Sequence, residues 1–170
     1  EWERVREALT FLIQHYPSAF FSIDTYRPFV AEQALISGVH MINDVSGGRD
    51  SDDMYRLATQ FKVPYAAMHS RGDAQTMQSM TKYDDIIADI YDFFQLCISK
   101  AKKYGLNDLV LDPGFGFAKT INQNFYLLKN LSVFTTLNKP LLVGISRKSF
   151  IYKTLNVNTL ESMNGTTALH

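Results

Sequence analysis

Val110-Leu111-Asp112-Pro113-Gly114-Phe115-Gly116-Phe117 is the stretch whose reading decides the fold. Its first half is apolar and β-prone; an acid follows, then at once a proline and two glycines. That order predicts a buried strand that ends on a carboxylate and breaks into a tight loop. Pro113 has no N–H to extend a ladder, and Gly114 and Gly116 take backbone angles that other residues resist. Asp112 is therefore expected at the carboxyl end of a strand, beside a loop with two aromatics that read as exposed. One such stretch alone also fits an Asx-type turn. The chain, however, repeats the arrangement.

Toward the amino terminus, Trp2, Val5, Leu9, Leu12 and Ile13 recur at helical spacing, an amphipathic helix ending before Pro17. Ala19 to Ile23 reads as a strand closed by Asp24-Thr25, and a helix runs from Pro28 to Gly38. Val39 to Ile42 is the next strand, closed by Asn43-Asp44 and Ser46-Gly47-Gly48. Ser51 is placed to cap a helix through Met54, Leu57, Ala58 and Phe61. Pro64 to Ala67 begins a strand that ends at Met68-His69. The polar segment from Ser70 to Lys82 is too long for a tight βα turn. Thr81 with Asp84 has the form of a capping box. The helix after it carries Ile86, Ile90, Phe93, Cys97, Ala101 and Tyr104 on one face. Asp84, Asp85 and Asp89 near its start and Lys100, Lys102 and Lys103 near its end suit the helix dipole, and Gly105 ends it. Beyond the opening stretch, Asn122 begins a helix through Phe125, Leu128 and Leu131. Pro140 to Ile145 is a strand closed by Ser146-Arg147-Lys148, and a last helical region starts at Thr159.

The count is five strands, each followed by a helix, which predicts parallel strands and right-handed crossovers. The expected fold is an α/β TIM (β/α)8 barrel, here incomplete with about five βα units, since a whole barrel needs about 250 residues. A doubly wound sheet is the alternative, though no G-x-G-x-x-G follows the first strand. The first residue is not methionine, and Glu1-Trp2-Glu3 reads as mid-helix. The expectation is one partial barrel domain over residues 1–170, without its first strands and its last, inside a longer protein.

With 170 residues, 46% hydrophobic, 20% charged and net charge zero, the composition is that of a globular domain without bias toward nucleic acid or membrane. Cys97, the only cysteine, excludes an internal disulfide and a cysteine metal cage. No apolar run approaches the ~20 residues that span a bilayer. A reducing cytoplasm is the default location.

The residues at the strand ends are Asp24, Asn43, Met68-His69, Asp112 and Ser146-Arg147-Lys148. Parallel α/β folds carry their chemistry there, and in a closed barrel such ends converge on one cavity. A carboxylate accepts two parallel N–H bonds from an amidine-like edge, and Asn offers an acceptor and two donors. Lys148 adds a donor for a carbonyl oxygen or ring nitrogen. The set suits a flat heterocycle with a guanidine-like edge, such as a pterin or guanine. Taken singly, Asp24 and Asn43 also fit helix caps, Met68 core filler, His69 a satisfied structural histidine, and Lys148 a solvated lysine. Asp24 and Asp112 offer metal-ligating oxygens without an obvious His or Glu partner. No Ser or Cys has an evident base for nucleophilic catalysis.

The chain resembles the dihydropteroate synthase family. The similarity lies in Ser22-Ile23-Asp24-Thr25, Ile42-Asn43-Asp44-Val45-Ser46-Gly47-Gly48, Met68-His69 with Thr76-Met77-Gln78, and Asp112-Pro113-Gly114-Phe115-Gly116-Phe117 with Lys119-Thr120. It continues in Gly144-Ile145-Ser146-Arg147-Lys148-Ser149-Phe150 and Gly165-Thr166 with Ala168. The resemblance implies a barrel enzyme, a transferase that joins 6-hydroxymethyl-7,8-dihydropterin diphosphate to 4-aminobenzoate in folate biosynthesis. It implies pterin contacts from Asp24, Asn43, Met68, Asp112, Phe117, Gly144 and Lys148. Phe117, Lys148 and Ser149 would border the 4-aminobenzoate and sulfonamide site, and Asp24, Asp112 and Lys148 would carry the chemistry. Mg2+ is implied as cofactor, with its ligands and the diphosphate site on segments that residues 1–170 do not contain. His170 belongs to the late helix and is not the family's anion-binding histidine. A homodimer is implied as well. The alternatives are a methyltetrahydrofolate:corrinoid methyltransferase-like enzyme, which shares a pterin-binding barrel, and a non-catalytic pterin-binding fragment.

Overall fold

The computed structural model describes residues 1–72 and 75–169, and of Gln78 only the backbone. Among the described residues four strands form: β1 (Ser22–Asp24), β2 (Met41–Asp44), β3 (Tyr65–Met68) and β4 (Leu109–Asp112). They make one sheet in the order β1-β2-β3-β4. β1–β2 and β2–β3 are parallel. Beside β4, Tyr65 N–H donates to Asp108 C=O and His69 N–H to Asp112 C=O, both partners advancing together, so this pair is parallel too. Sequential parallel strands joined by helices are the βα architecture that the sequence predicts.

Two compact units share the chain: Glu1–Met68 with Leu96–Leu111, and His69–Gln95 with Asp112–His170. The first holds α1 (Trp2–His15), α2 (Pro28–Ile36), α3 (Asp53–Phe61) and the carboxyl half of α4 (Ile86–Tyr104). Leu9, Ala34 and Val39 form one of its apolar clusters, with Trp2, Ile13, Phe21 and Ile23 packed on it. All four β3 side chains are buried, which a strand covered on both faces requires. Gly105, with φ +73°, ends α4 in the left-handed turn expected of it, and Leu106 N–H closes back onto Ala101 C=O.

The second unit holds α5 (Ile121–Lys129), α6 (Ser149–Leu155) and α7 (Met163–Leu169). Its core is aromatic: Phe94 meets Phe134 edge-on at 5.3 Å, and Phe125 meets Phe150 at 5.2 Å.

Several boundaries differ from expectation. The run from Pro140 to Ile145 is no strand; a single bridge forms at Leu141. Its side chains keep the alternation of an extended chain, but Pro140 has no N–H and Gly144 has low β propensity. Thr81 and Asp84 do not box the start of α4. Asp85 does the capping, its Oδ1 accepting from Ile87 and Ala88 N–H. The true capping box opens α5, one residue before the start expected at Asn122, and joins Thr120 to Gln123. Ser51 Oγ accepts from Asp53 N–H, close to the cap assigned to it. α6 was not expected; Asn156 ends it in a left-handed turn, and Val157 N–H returns to Tyr152 C=O. Phe115, read as exposed, is fully buried.

Candidate functional site

In the first unit the register pairs Asp24 with Asn43, so their side chains leave the sheet together on one face. Ile42 and Asp44 take the other face and are fully buried. Asn43 Nδ2 donates to Asp24 Oδ2 at 3.3 Å. Asn43 Oδ1 is buried and has no hydrogen-bond partner among the described residues. Buried acceptors are nearly always paired, so this one is an unmet demand for a donor. The Asp24 carboxyl titrates above its ordinary value, because burial outweighs the bond from Asn43, and Asp44 and Glu1 add like charge. It nonetheless keeps an open side toward solvent. Together the two residues present a carboxylate and an amide oxygen, both seeking N–H. Met68 closes β3 as a buried side chain.

Asp44 organises the loop after β2. Its Oδ1 accepts from Ser46 N–H at 2.8 Å and Ser46 Oγ at 2.7 Å. Its Oδ2 accepts from Gly48 N–H at 2.9 Å and Tyr65 OH at 2.7 Å. From α4, Lys100 Nζ donates to Gly48 C=O at 2.7 Å. Four donors to one buried carboxylate fix the backbone that follows Asn43.

In the second unit, Asp112 Oδ1 accepts from Gly114 N–H at 2.8 Å. The loop from 112 to 119 is mostly buried, and its backbone groups find partners. Gly116 N–H donates to Asn124 Oδ1 at 2.7 Å, Ala118 C=O accepts from Tyr83 OH at 2.9 Å, and Phe115 C=O accepts from Lys148 Nζ. Gly116 has φ +82°, and a Cβ there would meet Lys148 Cδ at 3.2 Å, so glycine is required twice over. The Lys148 ammonium lies 4.8 Å from the half-buried Phe117 ring, a cation–π distance. Burial lowers the Lys148 pKa, and Asp112 opposes the shift. Gly144 leaves the Lys148 ammonium 3.9 Å from where its Cβ would be. Ser149 is the first residue of α6. Arg147 N–H donates to Thr166 Oγ1 at 3.0 Å, which ties the Ser-Arg-Lys stretch to α7.

Lys119 and His69 complete this unit. Lys119 is buried, and burial pushes its pKa down to about 7 against the pull of Asp112. His69 Nε2 lies 3.1 Å from Asp89 Oδ1, and Arg71 pairs with the other oxygen of Asp89. Burial drives His69 down to about 4, so the ring is neutral near pH 7. Among the described residues no group of three or more His, Cys, Asp or Glu side chains can hold a metal ion. The Gln78 side chain and His170 lie outside the described residues.

The sequence profile of the family described as pterin binding enzyme matches residues 1–170. The chain belongs to the pterin-binding enzyme family. Among curated members, it is 47% identical over 137 residues to the dihydropteroate synthase of Synechocystis sp., covering 79% of this chain and 47% of that protein. Among solved members, the Thermus thermophilus dihydropteroate synthase in complex with 6HMPPP superposes with a TM-score of 0.93 at 35% identity, over 100% of this chain and 67% of that one. The Yersinia pestis enzyme with a sulfonamide drug gives 0.91 at 35% identity, over 99% and 61%. The chain spans about half the length of the curated relatives it matches. Such pterin-binding enzymes are barrels, so the parallel βα sheet seen here is an incomplete barrel.

Sequence reasoning had no role for Asp44 beyond closing a strand, and none for Lys119 beyond family likeness. A signal existed for Asp44: the run Asp44-Val45-Ser46-Gly47-Gly48 has the composition of an Asx turn. Lys119 gave none, because the fold of its own loop brings Gly114 and Phe117 C=O to it and His69 comes from 50 residues away.

Proposed function

We propose that the protein carrying this chain is a dihydropteroate synthase. It would join 6-hydroxymethyl-7,8-dihydropterin diphosphate to 4-aminobenzoate, giving 7,8-dihydropteroate and diphosphate for folate biosynthesis. The observation that carries the reading is the Asp24–Asn43 pair, a carboxylate beside a buried amide oxygen that lacks a donor. A pterin edge supplies the N–H groups that both demand. Solved relatives in complex with 6HMPPP and with a sulfonamide drug support a pterin and an arylamine as ligands.

In this proposal Asp24, Asn43 and Met68, with Asp112, Phe117, Gly144 and Lys148, contact the pterin. Phe117, Lys148 and Ser149 border the aminobenzoate. The reaction breaks the methylene C–O bond to diphosphate, forms a C–N bond and releases the amine's proton. Asp24, Asp112 and Lys148 serve it by orientation and charge stabilisation, without a covalent enzyme intermediate. Residues 1–170 form one partial barrel domain, and Mg2+ takes its ligands from outside them. The whole protein is proposed as a cytoplasmic homodimer; no helix among the described residues is long and apolar enough to cross a membrane.

The test is Asn43→Ala in the full-length protein, with pterin binding measured by calorimetry. Losing a hydrogen bond to a neutral amide costs about 0.5–1.5 kcal/mol, so affinity is expected to fall roughly two- to tenfold. Equal affinity in mutant and parent removes Asn43 from the site. A parent that makes no dihydropteroate from the two substrates, or methylates a corrinoid instead, ends the synthase reading.

A further inference from the structure

Lys119 is too deeply buried, and too fully engaged, to be a surface lysine. Its Nζ lies 3.0 Å from Gly114 C=O, 3.0 Å from Phe117 C=O and 3.2 Å from His69 Nδ1, with His69 C=O at 3.4 Å. An ammonium has three donors, and the three nearer acceptors use them. Asp89 only accepts, so His69 Nε2 carries the proton and donates to it, which leaves Nδ1 as a lone pair facing Lys119. Arg71 holds Asp89 from the far side. A continuous chain of polar contacts thus runs Arg71, Asp89, His69, Lys119 and ends on the carbonyls of the 112–119 loop.

The two carbonyls that Lys119 takes matter for the residues beside them. The Gly114 peptide is held at both ends: its N–H by Asp112 Oδ1 and its C=O by Lys119. Phe117 is held by its backbone, while its ring faces the Lys148 ammonium. Lys148 takes the intervening carbonyl of Phe115. Two lysines therefore fix the loop that presents the Asp112 carboxylate and the Phe117 ring.

We propose that Lys119 is a positioning residue: without touching substrate, it locks the 112–119 loop and so sets Asp112 and Phe117 for pterin and aminobenzoate binding. The inference rests on the synthase reading for its ligands, but its structural half does not. His69, oriented by Asp89 and Arg71, holds Lys119 in place.

The experiment uses the full-length protein, with Lys119→Met as an apolar near-isostere and Lys119→Arg as the charge-conserving variant. Backbone amide exchange is followed at Gly114 and Gly116 without ligand, and pterin affinity by calorimetry. Lys119→Met is expected to raise exchange in this loop at least tenfold while α5 amides stay protected, and to weaken pterin binding about tenfold or more. Lys119→Arg is expected to recover most of both. A folded Lys119→Met protein with unchanged loop exchange, or with loosened exchange and unchanged pterin affinity, overturns the proposal. Should that variant not fold, the parent decides. Imidazole 15N shifts are expected to show His69 as the Nε2–H tautomer, and an Nδ1–H tautomer overturns the Lys119 contact. A parent that binds no pterin instead ends the synthase reading and leaves the exchange and tautomer measurements to judge the loop.

Discussion

At the residue scale, His69 makes the protein sensitive to acid. Its pKa is lowered from 6.5 to about 4, chiefly by burial, so between those values the unfolded chain binds a proton that the folded chain refuses. Folding stability must then fall as pH drops from about 6.5 toward 4. Asp89 acts in the same direction further down, because its pKa is also lowered, by the bond from His69 first and by Arg71. The urea midpoint of the full-length protein is expected to decline across this window, and His69→Gln to flatten the upper part of the decline. A midpoint with the same pH dependence in parent and variant contradicts the assignment. Sequence could show His69 only as a candidate structural histidine. Its partners stand 20 and 50 residues away, and no local pattern encodes a contact of that range. Asp24 and Asn43 were legible because strand ends are local features, and the register then had to bring them together.

At the scale of elements, what was legible depended on whether a signal was confined to a few residues. Gly105 ended α4 as read, since a left-handed exit is a property of one residue and its turn. The strand predicted from Pro140 to Ile145 failed, because a ladder depends on neighbours that composition does not supply. The starts of α2 and α5 were legible to about one residue, whereas α4 and α7 begin at Ile86 and Met163, later than the Thr81 box and Thr159 suggested, and the strongest cap was not the one expected. Thr120 Oγ1 accepts from Gln123 N–H at 3.2 Å, while Gln123 Oε1 takes Thr120 N–H at 2.8 Å. Gln123 Nε2 also donates to Thr81 C=O at 2.8 Å, so the same box anchors the segment before α4. Thr120→Ala is expected to cost about 1 kcal/mol, within a usual span of roughly 0.5–2, and Thr120→Ser to cost a fraction of that. Denaturant titration of the two variants checks this. Equal loss from both would mean that the threonine methyl, and not the cap, stabilises α5.

For the whole molecule, the unanswered demand is at the sheet's edge. β1 has a neighbour on one side only among the described residues, and its outward N–H and C=O groups are a template for another strand. In the same unit Phe11, Phe20, Phe29 and Ile36 are exposed at 54%, 66%, 62% and 64%. The chain also spans 47% of the Synechocystis relative, and in the proposed synthase segments outside residues 1–170 would cover these surfaces and hold diphosphate. Without a preorganised anion site the leaving group's charge is poorly stabilised, and losing even one such donor typically costs about a hundredfold in rate. Residues 1–170 produced alone are therefore expected to self-associate on size exclusion and to make no measurable dihydropteroate, while the full-length protein runs as a defined species and turns over. A 170-residue monomer that matched the full-length rate would show that β1 needs no further neighbour and that the diphosphate is held by residues already present.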